Sequence, residues 1–147
     1  MSESYLRLQF YDDGDGTGKL VAWAEGHGFA GESGAYFDKL AVEAFATKLE
    51  AFPLVGRPSI VGGFYSKERP GDIEQELLSI ECYPIDAQGH LALRVRLATE
   101  LWPPARAESR HAVALEILTT YEPLRQFSHA LLALLRGHLE EAVLEGE

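Results

Sequence analysis

The chain contains a single cysteine, Cys82, among its 147 residues. One cysteine forms no intramolecular disulfide and by itself holds no zinc ion. The first residues lack the basic start and apolar core of a signal peptide, so we expect none. A chain of this length buries enough surface to fold without a disulfide bond or a bound metal ion. The cysteine content therefore predicts a protein of the reducing cytoplasm.

Basic residues are scarce. Lysine and arginine total 13 against 23 aspartates and glutamates, which gives a formal net charge of −10. Nucleic acids and anionic membranes both attract basic surfaces, so we expect neither as a partner. An acidic surface favours a basic protein partner, although acidic residues that only interact with solvent are the simpler alternative.

Long hydrophobic runs are absent as well. No stretch approaches the roughly 20 apolar residues that a membrane-spanning helix needs. Apolar residues make up 46% of the chain and charged residues 24%, which is ordinary for a globular protein and excludes a mostly disordered chain. The length and composition predict one domain spanning residues 1–147.

Alternating apolar and polar residues predict most of the chain as strands. Residues 5–11 and 19–25 flank an Asp/Gly-rich turn, and residues 76–83 and 90–99 flank a second turn. Further strands are expected at 26–37, bulged or folded over at its glycines, at 59–61 and at 111–119. Helices are expected over 40–52 and from residue 120 or 122 onward, because apolar residues recur there at helical spacing. This grouping predicts an α+β fold: an antiparallel sheet of about six strands with two helices packed on one face.

Three short motifs resemble functional signatures, but each lacks a required part. Residues 26–31 match the spacing GxGxxG, yet the next helix is expected to start about nine residues too late to face a pyrophosphate. Residues 31–35 resemble a nucleophile elbow around Ser33, without the final glycine or the strand-to-helix turn. Residues 13–18 resemble a calcium loop, but Ala24 stands where the bidentate glutamate belongs. The five histidines also lack zinc-ligand spacing. We therefore predict no catalytic, cofactor or metal site.

Two sets of charged residues are the candidate interaction surface. The first is the acidic turn, which contains Asp12, Asp13 and Asp15. The second set lies on strands that are expected to be neighbours, where its members alternate with apolar residues. It would lie on the sheet face opposite the helices, and its members are Glu81, Arg94, Arg96 and Glu116. Such a set provides cross-strand charge pairs or a polar binding face with arginine anchors. Together the candidate residues are Asp12, Asp13, Asp15, Glu81, Arg94, Arg96 and Glu116.

Three segments carry a resemblance to a group of known proteins: Gly26 to Gly31 with Ala35-Tyr36-Phe37, then Phe52-Pro53-Leu54, then Val95 to Thr99. With the strand that enters a C-terminal helix, they resemble small uncharacterised bacterial proteins. Some of those are similar to immunity proteins of polymorphic toxin systems, notably the type directed at cell-wall-associated toxins. The resemblance implies an α+β fold and tight binding to a toxin domain, and it transfers no binding residue to this chain.

Three functions follow as hypotheses. The first is a non-enzymatic cytoplasmic interaction protein, in its most specific form an acidic inhibitor of a basic toxin. The alternative is a small-ligand-binding module with a pocket near residues 26–34. An enzyme comes last, since it would require Ser33 to lie within hydrogen-bond reach of a histidine. An exposed apolar stripe on the last helix would indicate a homodimer.

Overall fold

The structure, a computed structural model, describes residues 4–147 and has a strand-rich α+β architecture. Its elements in chain order are β1 (Ser4–Asp12), β2 (Thr17–Gly26), β3 (Phe29–Asp38), α1 (Lys39–Lys48), β4 (Ser59–Tyr65), β5 (Ile73–Pro84), β6 (His90–Ala98), β7 (Ala112–Thr120), α2 (Tyr121–Leu135) and β8 (Ala142–Glu145). The α+β class and the antiparallel pairing agree with the prediction from sequence.

The strands form two sheets, so the expectation of one sheet of about six strands was wrong. One four-stranded sheet has the order β3-β2-β1-β8 and the other has the order β4-β5-β6-β7. We name them sheet A and sheet B. Hairpin patterns specify only which consecutive strands pair. Helix α1 and the loop after it separate β3 from β4, and at that point the chain changes sheets.

The two sheets pack face to face, and β3 lies across all four strands of sheet B. Two glycines permit the close approach. A Cβ atom on Gly31 would lie 2.6 Å from Val113 Cγ1, and one on Gly62 would lie 2.5 Å from Phe37 Cζ. The sequence predicted that strand β4 ends at Gly62-Gly63, but it continues to Tyr65, with register irregularities between Gly62 and Gly63 and between Phe64 and Tyr65.

The helices pack against each other and each contacts both sheets, which corrects the prediction that they cover one face of a single sheet. Helix α1 contacts β3 and β4, and α2 contacts β1, β8 and β7. The buried Ser128 hydroxyl of α2 donates to the carbonyl of Ala46 in α1 at 2.6 Å. The apolar stripe of α2 lies in the core rather than on the surface; its buried members are Leu124, Phe127, Leu131, Leu134 and Leu135. No helix within residues 4–147 has both the length and the apolar character required to cross a membrane.

The glycine-rich segment 26–34 forms a tight hairpin followed by a regular strand, so the chain folds over at its glycines as one of the two expectations has it, and the expected bulge is absent from β3. His27 and Gly28 have φ angles of 53° and 86°, the left-handed values of a two-residue hairpin turn. Beyond the turn, β3 pairs with β2 in unbroken register from Phe29 to Asp38. The glycines inside β3 serve packing, as Gly31 does against Val113.

Candidate functional site

The acidic turn between β1 and β2 is held by its own carboxylates. Asp12 accepts a hydrogen bond from the Gly14 amide at 2.8 Å and pairs with Lys39 Nζ at 2.7 Å. Asp15 accepts from both the amide and the hydroxyl of Thr17, at 3.0 and 2.7 Å. The bond from Lys39 lowers the pKa of Asp12, and the bonds from Thr17 lower the pKa of Asp15. Asp13 is exposed, and its carboxylate makes no side-chain contact within residues 4–147.

A cleft of about 590 Å³ opens beside this turn, between β3 with the first turn of α1 on one side and β4 on the other. Tyr36 and Tyr65 line it with 60% and 58% of their surfaces exposed, and Val61 is also exposed. Asp38 contributes a further carboxylate to the wall. The cleft therefore combines exposed aromatic rings with one carboxylate and adjoins the acidic turn at Thr17.

The charged residues predicted on neighbouring strands do lie together on the outer face of sheet B. Glu81 of β5 is directly opposite Arg94 of β6, and Arg94 is directly opposite Glu116 of β7. Arg96 lies two residues further along β6 and is more exposed than Arg94. We call Glu81, Arg94 and Glu116 the charged row. Its geometry agrees with the sequence prediction.

Two residues that the sequence analysis missed complete the charged row. Arg57 donates to Glu81 at 2.9 Å, and its guanidinium lies 4.2 Å from the centre of the Tyr83 ring. The Tyr83 hydroxyl donates to Glu116 at 2.5 Å. Burial, then the bond to Glu116, raises the pKa of Tyr83. Tyr83 lies two residues after Glu81 on β5, so the strand alternation could have placed it on the same sheet face. Arg57 lies in the loop before β4, where no residue spacing predicts its position.

Arg94, at the centre of the row, is only partly satisfied. Its Nε atom is buried and has no hydrogen-bond partner within residues 4–147. The flanking carboxylates are engaged elsewhere, Glu81 with Arg57 and Glu116 with Tyr83. Arg94 is thus flanked by two carboxylates that bond to other residues, and its guanidinium retains bonding capacity.

The cleft joins the acidic turn to the charged row. Thr17, which Asp15 holds, lies on one wall, and Ser59 lies on the other. Ser59 is also opposite Glu81 in the β4–β5 register, so it is adjacent to the row. A residue beside each part of the surface predicted from sequence therefore lines the same cleft, although the two parts are far apart along the chain.

The glycine-rich segment contributes to a smaller depression. A cleft of about 240 Å³ is lined by Ala30 to Glu32 together with the facing ends of β6 and β7. Neither His27 nor Arg94 is among its lining residues. The Ser33 hydroxyl donates to the carbonyl of Ala98 at 2.7 Å, so backbone rather than a histidine is its partner. This arrangement supplies no activated nucleophile.

Comparison with known proteins adds nothing to this geometry: no family model, curated protein or solved structure matches the chain. Within residues 4–147, no three His, Cys, Asp or Glu side chains are grouped as metal ligands would be. The acidic turn, the cleft and the charged row are accordingly interpreted from their own chemistry.

Proposed function

We propose that this protein is a non-enzymatic, cytoplasmic protein-binding module whose cleft receives a basic segment of a partner protein. The observation that carries the proposal is the position of the cleft: it lies between the acidic turn and the charged row and exposes two tyrosines. Its most specific form is an inhibitor of a basic toxin domain, as the resemblance to immunity proteins implies.

The chemistry of the cleft suits lysine and arginine side chains. Their charged ends would meet Asp38 on the wall and the field of the acidic turn that adjoins the cleft at Thr17, while their methylene stems would lie on Tyr36 and Tyr65. A cation over a tyrosine ring is attracted to its π face, and the protein already contains one such pair, Arg57 on Tyr83. Tyrosine is also enriched among residues that dominate binding energy.

The net charge of −10 supports the same partner class. A strongly acidic molecule attracts a basic partner over distances near the Debye length, about 8 Å at physiological salt, and this raises the association rate. The proposal therefore requires binding that weakens as salt rises.

Charge reversal at the acidic turn tests the proposal. Asp13→Lys changes an exposed carboxylate that holds no part of the turn, so folding should be unaffected. Its matched control is Glu145→Lys, an exposed carboxylate of β8 that lies opposite Tyr5, at the other end of β1 from Asp12, with no ion pair within residues 4–147. Tyr65→Ala removes an exposed aromatic ring from the cleft, and its matched control is Phe29→Ala, which removes an exposed aromatic ring that does not line the cleft.

Partners would be captured from native host lysate with the wild-type protein and identified, and their affinities measured with purified components at two salt concentrations. We expect a basic partner that Asp13→Lys and Tyr65→Ala weaken by about tenfold or more. Glu145→Lys and Phe29→Ala should retain it. Equal loss in test and control variants, or a partner indifferent to salt, would contradict the proposal.

The alternative, a ligand pocket at residues 26–34, has weaker support. The depression there is less than half the volume of the cleft, at about 240 Å³ against about 590 Å³. Its lining includes Glu32 and His111, and its serine hydroxyl neighbour, Ser33, is engaged with backbone. Nothing in this depression selects a ligand class.

A further inference from the structure

We propose a second site on the outer face of sheet B: a pocket that binds a carboxylate group between Arg96 and Arg110. The pocket has a volume of about 320 Å³ and lies where β6 ends and β7 begins. Its other wall is formed by Glu76 of β5. We call it the arginine pocket. It is separate from the acidic cleft and attracts charge of the opposite sign.

The floor of the arginine pocket is made of alanines. Ala98 lies opposite Ala112 in the β6–β7 register, and Arg96 lies opposite Ala114. These positions alternate with Leu97 and Val113, which point to the other side of the sheet. Three methyl groups leave room above the strands that larger side chains would fill. The floor therefore accepts the short apolar part of a ligand while the rim holds its charge.

The two arginines differ in how they are held. Arg110 donates to the carbonyl of Glu76 at 2.8 Å, which fixes its guanidinium at the rim. Arg96 is exposed and makes no hydrogen bond or ion pair within residues 4–147. The chain has 23 acidic residues, yet Arg96 has no carboxylate partner and lies beside Arg110. The two arginines therefore form a local excess of positive charge. Both guanidiniums retain donors for an incoming anion.

The geometry favours a carboxylate over more highly charged anions. A guanidinium presents paired donors that match the two oxygens of a planar carboxylate. Glu76, whose carboxylate accepts only a long 3.5 Å bond from Ser79, stands on the same wall and repels added negative charge. Carboxylates occur on small organic acids and on acidic peptide segments, and the pocket chemistry is the same for both.

The test uses the full-length protein and two probes: succinate, and a short acetylated peptide rich in aspartate. Binding would be followed by NMR titration, which reports both affinity and the residues perturbed. We expect saturable binding with shifts at Ala98, Ala112 and Ala114. Arg96→Gln and Arg110→Gln should each weaken it by about tenfold, the usual effect of losing one charged hydrogen-bond donor.

Two further variants separate this site from general electrostatics. Arg136→Gln removes the same charge from an exposed arginine at the end of α2 and should leave affinity within about twofold. Glu76→Gln removes the repulsive carboxylate and should tighten binding. If the wild-type protein binds succinate more tightly than the peptide, the natural carboxylate belongs to a small organic acid. If it binds the peptide more tightly, the carboxylate belongs to a protein segment.

The proposal is overturned by absence of saturable binding of both probes, or by equal loss in Arg136→Gln and Arg96→Gln. It is also overturned if chloride competes as well as the probes do, because a mere surface charge would behave in that way. The thermal midpoint of each variant, compared with the wild type, verifies that a loss of binding is not a loss of folding. Asp13→Lys should leave binding of both probes intact. The test of the arginine pocket is therefore independent of the test of the acidic cleft.

Discussion

At the scale of single residues, the aspartates of the acidic turn divide into two roles. Asp12 and Asp15 accept hydrogen bonds that shape the turn, and Asp13 remains exposed to solvent without a partner within residues 4–147. Short acidic side chains suit this position because they mimic a backbone turn with their own oxygens. The sequence identified the three as one charged group and could not assign these separate roles, which depend on how the folded turn places each carboxylate relative to Gly14, Thr17 and Lys39.

The lowered pKa values of Asp12 and Asp15 predict a loss of stability in acid. Their unfolded value is 3.8, and their folded values lie below it. The stabilising contribution is therefore complete above that value and disappears as the pH falls through the folded pKa values. Asp12→Asn and Asp15→Asn should flatten the fall in the urea midpoint between about pH 5 and pH 2. Asp13→Asn is the control, and an equal flattening there would refute the assignment.

Cys82 is predicted to be inert in the folded protein. It is fully buried between Ile80 and its cross-strand neighbour Leu93, and burial raises the pKa of its thiol to about 12. Because the thiolate is the reactive form, a thiol reagent at mildly alkaline pH should modify Cys82 only when the chain unfolds. An engineered Ser109→Cys, at an exposed position, serves as the reactive control. Rapid labelling of the native wild type would show that the β5–β6 region opens.

At the scale of elements, β4 is positioned by Gly62. A Cβ atom there would lie 2.5 Å from Phe37 Cζ and 2.9 Å from the Cβ of Ala35, so any side chain would push β4 away from β3. Both strands form walls of the acidic cleft. A single glycine therefore fixes the width of the proposed binding surface.

Gly62→Ala is expected to destabilise the protein by about 1–3 kcal/mol, the usual cost of overpacking a core. Denaturant unfolding measures this change. Phe37→Leu shortens the facing side chain, so the double variant should lose less than the sum of the two single losses. Strict additivity would indicate that the added methyl group does not meet Phe37.

Helix α1 shows where periodicity alone misleads. A stripe running to Phe52 was expected, but the helix ends at Lys48, and Phe52 is exposed with its ring edge-on to Tyr121. The buried residues are Val42, Phe45, Ala46 and Leu49. The continuation past Lys48 into a loop depends on contacts with α2, which lie more than 70 residues away in sequence and have no local signal.

At the scale of the whole molecule, local pairing was predictable and sheet membership was not. The hairpins β1–β2 and β5–β6 follow from alternation and turn residues, because both partners and their turn lie within one short stretch. The two sheets are held together by the packing of β3 across sheet B, and three of the four strands that β3 contacts there, β5, β6 and β7, do not follow it directly in the chain. The charged row was predicted because it needs only strand pairing. The cleft was not, because it forms where two sheets meet.

Strand β8 has a consequence for how the fold is completed. It pairs with β1 through partners such as Leu6 and Leu144, which are separated by nearly the whole chain. Sheet B pairs only strands adjacent in sequence, and the loops that it closes are short. Closing a long loop costs more entropy than closing a short one, and such contacts slow folding. Sheet B can therefore assemble while its strands leave the ribosome, as can the paired strands β1, β2 and β3, whereas sheet A becomes four-stranded only after residues 142–145 have been synthesised.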